Sequence, residues 1–324
     1  MQPESTNGIR RLTTLLKSTG GPWAALVVLL LVCCISNEHF RSVQNLVNIT
    51  RQVSYSGLIA LGMTFVIAGG GIDLSVGSLL AFSGVISILG MNAVPGSETL
   101  AVAVAAVIAV ALGAAGGAAN GALVALGKVP PFIATLGTLV IFRSLALYFG
   151  NSGLVSSENE VYREIGGAVI GGIPLPVWIL LILTVVLSLV LKRTRLGRHI
   201  CAVGSNERVA RYAAIRTGLV KFYTYLIAGT TAGISALLFG GRLNSVSSTS
   251  AGLSYELDAI AAVIIGGSSM NGGKASVWGT LAGILILGIV SNVLDMWGIS
   301  VTLQGTVKGL VIIIAVMMQR KTLK

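Results

Sequence analysis

Residues 53–93 read VSYSGLIALGMTFVIAGGGIDLSVGSLLAFSGVISILGMNA, two apolar runs separated by Gly69-Gly70-Gly71-Ile72-Asp73-Leu74-Ser75, with Asp73 the sole charged residue in the stretch. A helix that crosses a bilayer needs about 20 mostly apolar residues. The runs 53–70 and 76–93 each approach that length, so the stretch predicts two membrane helices joined by a tight glycine turn. Asp73 either caps the second helix by accepting from the free N–H groups of its first turn, or marks a broken-helix turn at the end of a translocation path.

The same pattern recurs along the chain. Apolar runs predict spans at 21–36, 53–70, 76–93, 100–119, 132–149, 173–191, 222–241, 257–270, 277–294 and 301–318. The fold class is therefore all-α, a polytopic transmembrane bundle of about ten helices. It comprises a cytoplasmic tail over 1–20, a transmembrane domain over 21–318 and a second cytoplasmic tail over 319–324. Arg10, Arg11 and Lys17 precede the first run as in a signal peptide, but no small-residue cleavage site follows it, so it reads as a retained helix.

Composition agrees. Of 324 residues, 54% are apolar and 10% charged, against about 25% charged in soluble domains, and the mean hydropathy is +0.89. The 42 glycines suit close helix contact in lipid. A net charge of +11 would suggest nucleic acid in a soluble protein; here the basic residues sit at the ends of apolar runs, which excludes that partner and points to the bilayer. The two histidines and three cysteines have no metal-ligand spacing, so no metal and no cofactor is expected in the chain.

Orientation follows from the basic residues, which favour the cytoplasmic side. The 192–221 loop alone carries Lys192, Arg193, Arg195, Arg198, Arg208, Arg211, Arg216 and Lys221. This loop falls inside when the N-terminus is inside, and so do Lys128, Lys274 and the basic residues near both termini. The predicted outer loops carry Arg41, Arg51, Arg163, Arg242 and the acidic Glu158, Glu160 and Glu164. Both termini are therefore expected on the cytoplasmic side of the membrane.

Within the 192–221 loop, Ser205 or Asn206 is placed to cap a short helix whose positive N-terminal end Glu207 favours. Val209, Tyr212 and Ala213 fall on one face, giving an apolar knob ringed by arginines. Topology and lipid contact account for some of this charge; a capped helix also suggests a docking element for a cytoplasmic partner. Gly267-Ser268-Ser269-Met270-Asn271-Gly272-Gly273-Lys274-Ala275 fails as a phosphate-binding loop, since Ser268 replaces the first glycine and Ala275 the magnesium-holding Ser or Thr. Any ATP would be hydrolysed by another chain.

Intramembrane charge is sparse. Arg143 and Lys308 lie within predicted spans and should face protein or water, because a lipid-facing cation costs about 2.5–3.5 kcal/mol on insertion scales. Glu256 and Asp258 enter the eighth span, either as caps or as ligands for an ion or protein partner. Small polar residues at Ser83, Asn120, Thr135 and Thr138 are candidates for the lining of a path, with interhelical hydrogen bonding as the alternative for each. Val66-Ile67-Ala68-Gly69-Gly70 also echoes Val263-Ile264-Ile265-Gly266-Gly267, which hints at an internal duplication.

Several of these segments resemble the signature of ribose-type sugar ABC importer permeases. They are Gly62-Met63-Thr64 through Gly71-Ile72-Asp73-Leu74-Ser75-Val76-Gly77-Ser78, Pro131-Phe132-Ile133-Ala134-Thr135-Leu136, Thr194-Arg195-Leu196-Gly197-Arg198 and Gly204-Ser205-Asn206-Glu207. Tyr255-Glu256-Leu257-Asp258-Ala259-Ile260-Ala261-Ala262, the Gly266-Gly267 to Lys274 segment and Val307-Lys308-Gly309 complete the match, which runs over roughly 20–320. The resemblance implies a non-enzymatic permease of about ten helices, two subunits of which form the pore, as a homodimer or with a related permease. It further implies ATPase subunits that bind ATP and magnesium, and a periplasmic or extracellular sugar-binding protein. The loop between the sixth and seventh helices would be the coupling helix, placing Gly204, Asn206, Glu207, Ala210 and Arg211 at the ATPase interface. Arg242 and Glu256 would lie where the binding protein docks. One departure is Ala214 before Ile215, where relatives carry glycine. The competing reading is an ion-coupled carrier for a small polar solute; the absence of a carboxylate relay and the elaborate basic loop weigh against it.

Overall fold

The computed structural model describes residues 20–300, 303–307, 309 and 310. The tails, Lys308 and most of the predicted last span lie outside the described residues. In chain order the helices are α1 (Gly21–Ser36), α2 (Val43–Ala68), α3 (Val76–Asn92), α4 (Glu98–Ala125), α5 (Pro131–Phe149), α6 (Glu160–Gly167), α7 (Leu175–Arg193), α8 (Arg195–Ser205), α9 (Glu207–Tyr212), α10 (Thr217–Leu243), α11 (Tyr255–Ile265) and α12 (Val277–Met296). Four short strands, β1 (Leu154–Ser156), β2 (Val169–Ile170), β3 (Ile173–Pro174) and β4 (Ser245–Ser247), form two antiparallel pairs, β1 with β4 and β2 with β3. The molecule is an all-α membrane bundle. α4, α5, α7, α10 and α12 are long and apolar enough to cross a bilayer, and α1 and α3 are shorter apolar helices.

α2 is the axis of the bundle. Every residue from Val53 to Ala68 is buried, and α10, α11, α12 and α7 all pack on it. It starts at Val43 rather than 53, because the Ser42 hydroxyl accepts the Asn45 N–H and nucleates turns that hydropathy passes over: Asn45, Thr50, Arg51 and Gln52 are polar. The most extensive helix pair is α4 with α10. There Gly113, Gly117 and Gly121 stand every fourth residue along α4, and a Cβ at Gly113 would lie 2.7 Å from Gly233 Cα. Without a hydrophobic force between helices in lipid, such small-residue seams permit backbone contact and dispersion gains.

Chain parity is visible in the loops. The 154–156 and 245–247 segments, both predicted on the outer side, pair as β1 and β4 with Val155 opposite Val246. The Tyr162 hydroxyl of α6 donates to Leu237 O at 2.6 Å at that same end. The basic loops meet at the other end, where Lys221 reaches Glu207. Arg143 faces protein, as required: its guanidinium donates to Ser248 O at 3.1 Å and Ala251 O at 2.9 Å. α11 is the exception among the apolar helices. With 11 residues it rises about 16 Å, roughly half the hydrocarbon thickness of about 30 Å.

Candidate functional site

The basic end is organised by α8 and α9. Thr194 Oγ1 accepts the Gly197 N–H at 3.2 Å to start α8. Asn206 Oδ1 accepts from Arg208 N at 3.0 Å and Val209 N at 3.1 Å to start α9, so Asn206 rather than Ser205 is the cap. Glu207 sits in the first turn, with Arg211 at 3.1 Å and the Lys221 ammonium at 2.6 Å. The Lys221 hydrogen bond holds the Glu207 carboxyl below its ordinary range, against partial burial and with help from Lys221's charge, Thr217 and Arg211. Val209 and Tyr212 project from this braced helix, 60% and 91% exposed. α9 ends in a Schellman turn: Ile215 N donates to Ala210 O at 3.1 Å and Ala214 N to Arg211 O at 3.0 Å. That turn places Ala214 at φ 59°, in the left-handed region that glycine occupies freely. The glycine that the resemblance leads one to expect there has a backbone reason, and α9, the helix expected to couple to an ATPase, stops at Tyr212.

Among the five residues expected at a partner interface, Arg211 lies in the open, Asn206 and Glu207 are committed to the cap and the Lys221 pair, and Ala210 is buried. Gly204 packs against its own chain. A Cβ there would collide with Ala68 O and lie 2.6 Å from Gly273 N, while Gly273 N itself donates to Ala68 O at 2.9 Å. The end of α2, the end of α8 and the 266–276 loop therefore meet backbone to backbone. Gly272 and Gly273, at φ 81° and 79°, belong to the segment that failed as a phosphate loop; here they wrap Gly204.

Four of the five path candidates converge beside this junction. Asp73 Oδ1 accepts the Ser75 N–H at 2.9 Å and hydroxyl at 2.7 Å. Asn120 Nδ2 donates to Ser75 Oγ at 2.7 Å and to Asp73 Oδ2 at 3.3 Å, and its Oδ1 accepts from Thr138 at 2.7 Å. Thr135 and Tyr225 both reach Ile72 O, at 3.5 and 3.3 Å. Asp73, Asn120, Thr135 and Thr138 are all buried. Burial pushes the Asp73 carboxyl up, opposed by the Ser75 and Asn120 donors. α3 is preceded by Ser75, not Asp73, and Asp73 forms an Asx turn one step outside the helix. Ser83 stands apart on α3, its buried hydroxyl without a hydrogen-bond partner among the described residues. Arg242 is exposed in the last turn of α10, whereas Glu256 is half-buried with its carboxyl against Gly77 in the first turn of α3, close to the Ser75 turn rather than on the outer face.

Sequence reading missed Lys221, Tyr225 and the Gly272–Gly273 contact. In sequence Lys221 reads only as topology-setting charge, because it lies fourteen residues after its partner Glu207, beyond helical spacing.

The family described as branched-chain amino acid transport system / permease component matches residues 45–316. Ribose import permease protein RbsC of Bacillus subtilis strain 168 is 43% identical over 303 residues, 93% of this chain and 92% of that protein. Its namesake in Escherichia coli strain K12 is 39% identical over 308 residues, 92% of each. The L-arabinose transport system permease protein AraH of the same organism is 35% identical over 300 residues, 93% of this chain and 90% of that protein. No solved structure matches. With a capped, arginine-flanked helix at the basic end of an apolar helical bundle, and permeases matching more than nine-tenths of its length, the chain belongs to this family of transport-system permease components.

Proposed function

We propose that this chain is the membrane subunit of an ATP-driven importer that carries a small sugar of the ribose class into a bacterial cell through the inner membrane. The observation that carries the coupling half of this reading is α9: a six-residue helix, capped, ion-paired to α10 and presenting Val209 and Tyr212 among Arg208, Arg211 and Arg216. Such an amphipathic knob fits a groove on a soluble ATPase, and the basic end would face the cytoplasm under the positive-inside rule. The sugar half rests on relatives named for ribose and arabinose, which span more than nine-tenths of this chain.

In this reading no bond is made or broken in the chain; ATP and magnesium are held by the partner. ATP-driven closure of two ATPase subunits pushes α8 and α9, and Gly204 passes the displacement to α2 and the 266–276 loop with no flexible side chain between. Asp73, Asn120, Thr135 and Thr138 tie the turn before α3 to α4 and α5 and act as a gate anchor at the cytoplasmic end, with Ser83 higher on α3. Arg242 meets a sugar-binding protein on the far side. A second copy of the chain completes the pore.

The test is reconstitution. Purified from native membranes, the chain should bring an ATPase subunit in equal amount, and proteoliposomes should take up labelled D-ribose only with that subunit, ATP and the binding protein. Ribose uptake by the chain alone, driven by an ion gradient, would overturn the importer reading in favour of a secondary carrier.

A further inference from the structure

Between α10 and α11 the chain leaves the end where β1 and β4 pair and descends along α3. Val246 packs on Gly84, where a Cβ would lie 3.2 Å from its side chain. Further down, Gly252 packs on Gly77: a Cβ on Gly77 would strike Gly252 O, and a Cβ on Gly252 would strike Gly77 O. Asn92, at the other end of α3, reaches Ser156 O of β1. From there Gly77 lies about 22 Å along the helix, within a hydrocarbon layer of about 30 Å. Residues 248–254 are turns, neither helix nor strand, so irregular backbone lies at membrane depth. The descent also accounts for α11, since the turn covers the depth that this half-length helix does not.

Arg143 of α5 grips the descending turn. Its two donations, to Ser248 O and Ala251 O, use the planar fork of a guanidinium, which an ammonium lacks. Glu256, in the first turn of α11, lies within electrostatic reach of that guanidinium and offsets its charge. The Ser247 hydroxyl shapes the turn from the other side. It accepts the Ser250 N–H at 3.2 Å and the Ser250 hydroxyl at 2.9 Å, and shares a hydrogen bond of 3.0 Å with Thr249. Ser248, Ala251 and Gly252 are buried, whereas Thr249, Ser250, Leu253 and Ser254 are exposed.

Non-helical backbone at membrane depth is tolerated only where it is buried in protein or lines a water-filled cavity. One side of this turn is buried. The other side, with three hydroxyls, is open among the described residues, which excludes lipid as its surroundings. We infer that residues 247–254 form a re-entrant turn lining the water-filled translocation path with Thr249, Ser250 and Ser254, and that Arg143 is the positioning residue that holds it there. The inference rests on the importer reading for the existence of a path. It sets the lining apart from Asp73, Asn120, Thr135 and Thr138, whose polar groups are buried and bonded within the bundle.

The test uses the full complex of permease, ATPase and binding protein, with labelled D-ribose for uptake. In a chain with Cys33, Cys34 and Cys201 changed to Ala, Ser250→Cys and Ser254→Cys should react with a charged, water-soluble thiol reagent at least about tenfold faster than Ile182→Cys, because the ionised thiolate is the reacting form. Ile182 is an exposed apolar position on α7 and serves as the lipid-facing control. Modification of Ser250→Cys should abolish uptake. Arg143→Gln should change the Ser250→Cys rate several-fold and lower uptake, with the ATPase subunit still co-purifying, and Arg143→Lys should not rescue it. Rates no higher than the control's in both serine variants overturn the re-entrant lining, even where the Arg143 variants fail to assemble. An unchanged Ser250→Cys rate in an assembled Arg143→Gln complex overturns the positioning role. Uptake that survives full modification of Ser250→Cys takes the turn off the path. A parent complex that imports no ribose with ATP and binding protein defeats the importer reading instead, and the labelling rates still report whether the turn faces water.

Discussion

α2 and α11 both run out at a glycine in the left-handed region, Gly70 at φ 79° and Gly267 at φ 83°. Their closing hydrogen bonds repeat at a constant offset: Gly71 N to Val66 O and Gly70 N to Ile67 O in one, Ser268 N to Val263 O and Gly267 N to Ile264 O in the other. Beyond the turn they part. After α2 the chain reaches α3 within seven residues and buries Asp73, and Ser75 turns its hydroxyl to Asp73 and Asn120 instead of capping. After α11 the loop is four residues longer, Ser276 caps α12 through Gly279 N at 3.0 Å, and the extra length lets Gly272 and Gly273 close on Gly204. One backbone device is thus used twice. The first is locked into the bundle by buried polar bonds, and the second is docked on Gly204 at the end of α8. α9 ends in the same kind of turn with Ala214 at the left-handed position, where a side chain is tolerated at a cost.

The sharpest way to break this comparison is Gly204→Val. Any Cβ would strike Ala68 O, so the substitution should cost at or above the ~1–3 kcal/mol of an overpacked core and abolish uptake. A variant with normal thermal stability in detergent and normal uptake would show that the two turns do not meet at Gly204. Next in size is Asp73→Leu, which strands Ser75 and Asn120 and should cost about 1–3 kcal/mol, whereas Asp73→Asn should cost much less. The sign with pH follows from burial. A carboxyl raised above its unfolded value contributes stability that is fully present below the unfolded pKa and is lost as pH rises through the folded one. The melting temperature should therefore fall with rising pH across that window in the parent and flatten in Asp73→Asn. An identical pH profile in both would remove Asp73 as the titrating group.

Smaller effects sharpen the likeness of the turns. Gly70→Ala and Gly267→Ala should each cost about 1 kcal/mol from the left-handed backbone alone; unequal losses would reveal different strain behind the same geometry. Smallest of all, Ala214→Gly should raise stability by up to about 1 kcal/mol without changing uptake, and a loss of stability would place the end of α9 elsewhere.

Much of the basic end was legible in advance because its signals are local. Asn206, Glu207 and the 209/212 face are read from a few consecutive residues, and the cap and apolar knob follow from helical spacing. Residues joined across helices left a weaker trace. Asn120 and Thr138 stand out as polar interruptions, but the bond from Asn120 to Asp73 spans 47 positions. The Asn45–Asn292 pair spans 247, and Asn45 falls in turns that hydropathy assigns to no helix. α11 was read as a short span, and only packing shows that its loop closes on α8.

By itself the sequence determined where apolar helices form, the clustering of basic residues at their ends and the capped helix that begins at Glu207. Each depends on the transfer free energy of a contiguous stretch or on the position of charges at its ends. The tertiary structure decided which polar groups meet. In a glycine-rich bundle many helix faces are nearly equivalent in apolarity, so periodicity does not choose a partner. Close approach at Gly113 and Gly117 along α4 and at Gly204, where no Cβ intervenes, sets the packing around Asp73 and Asn120.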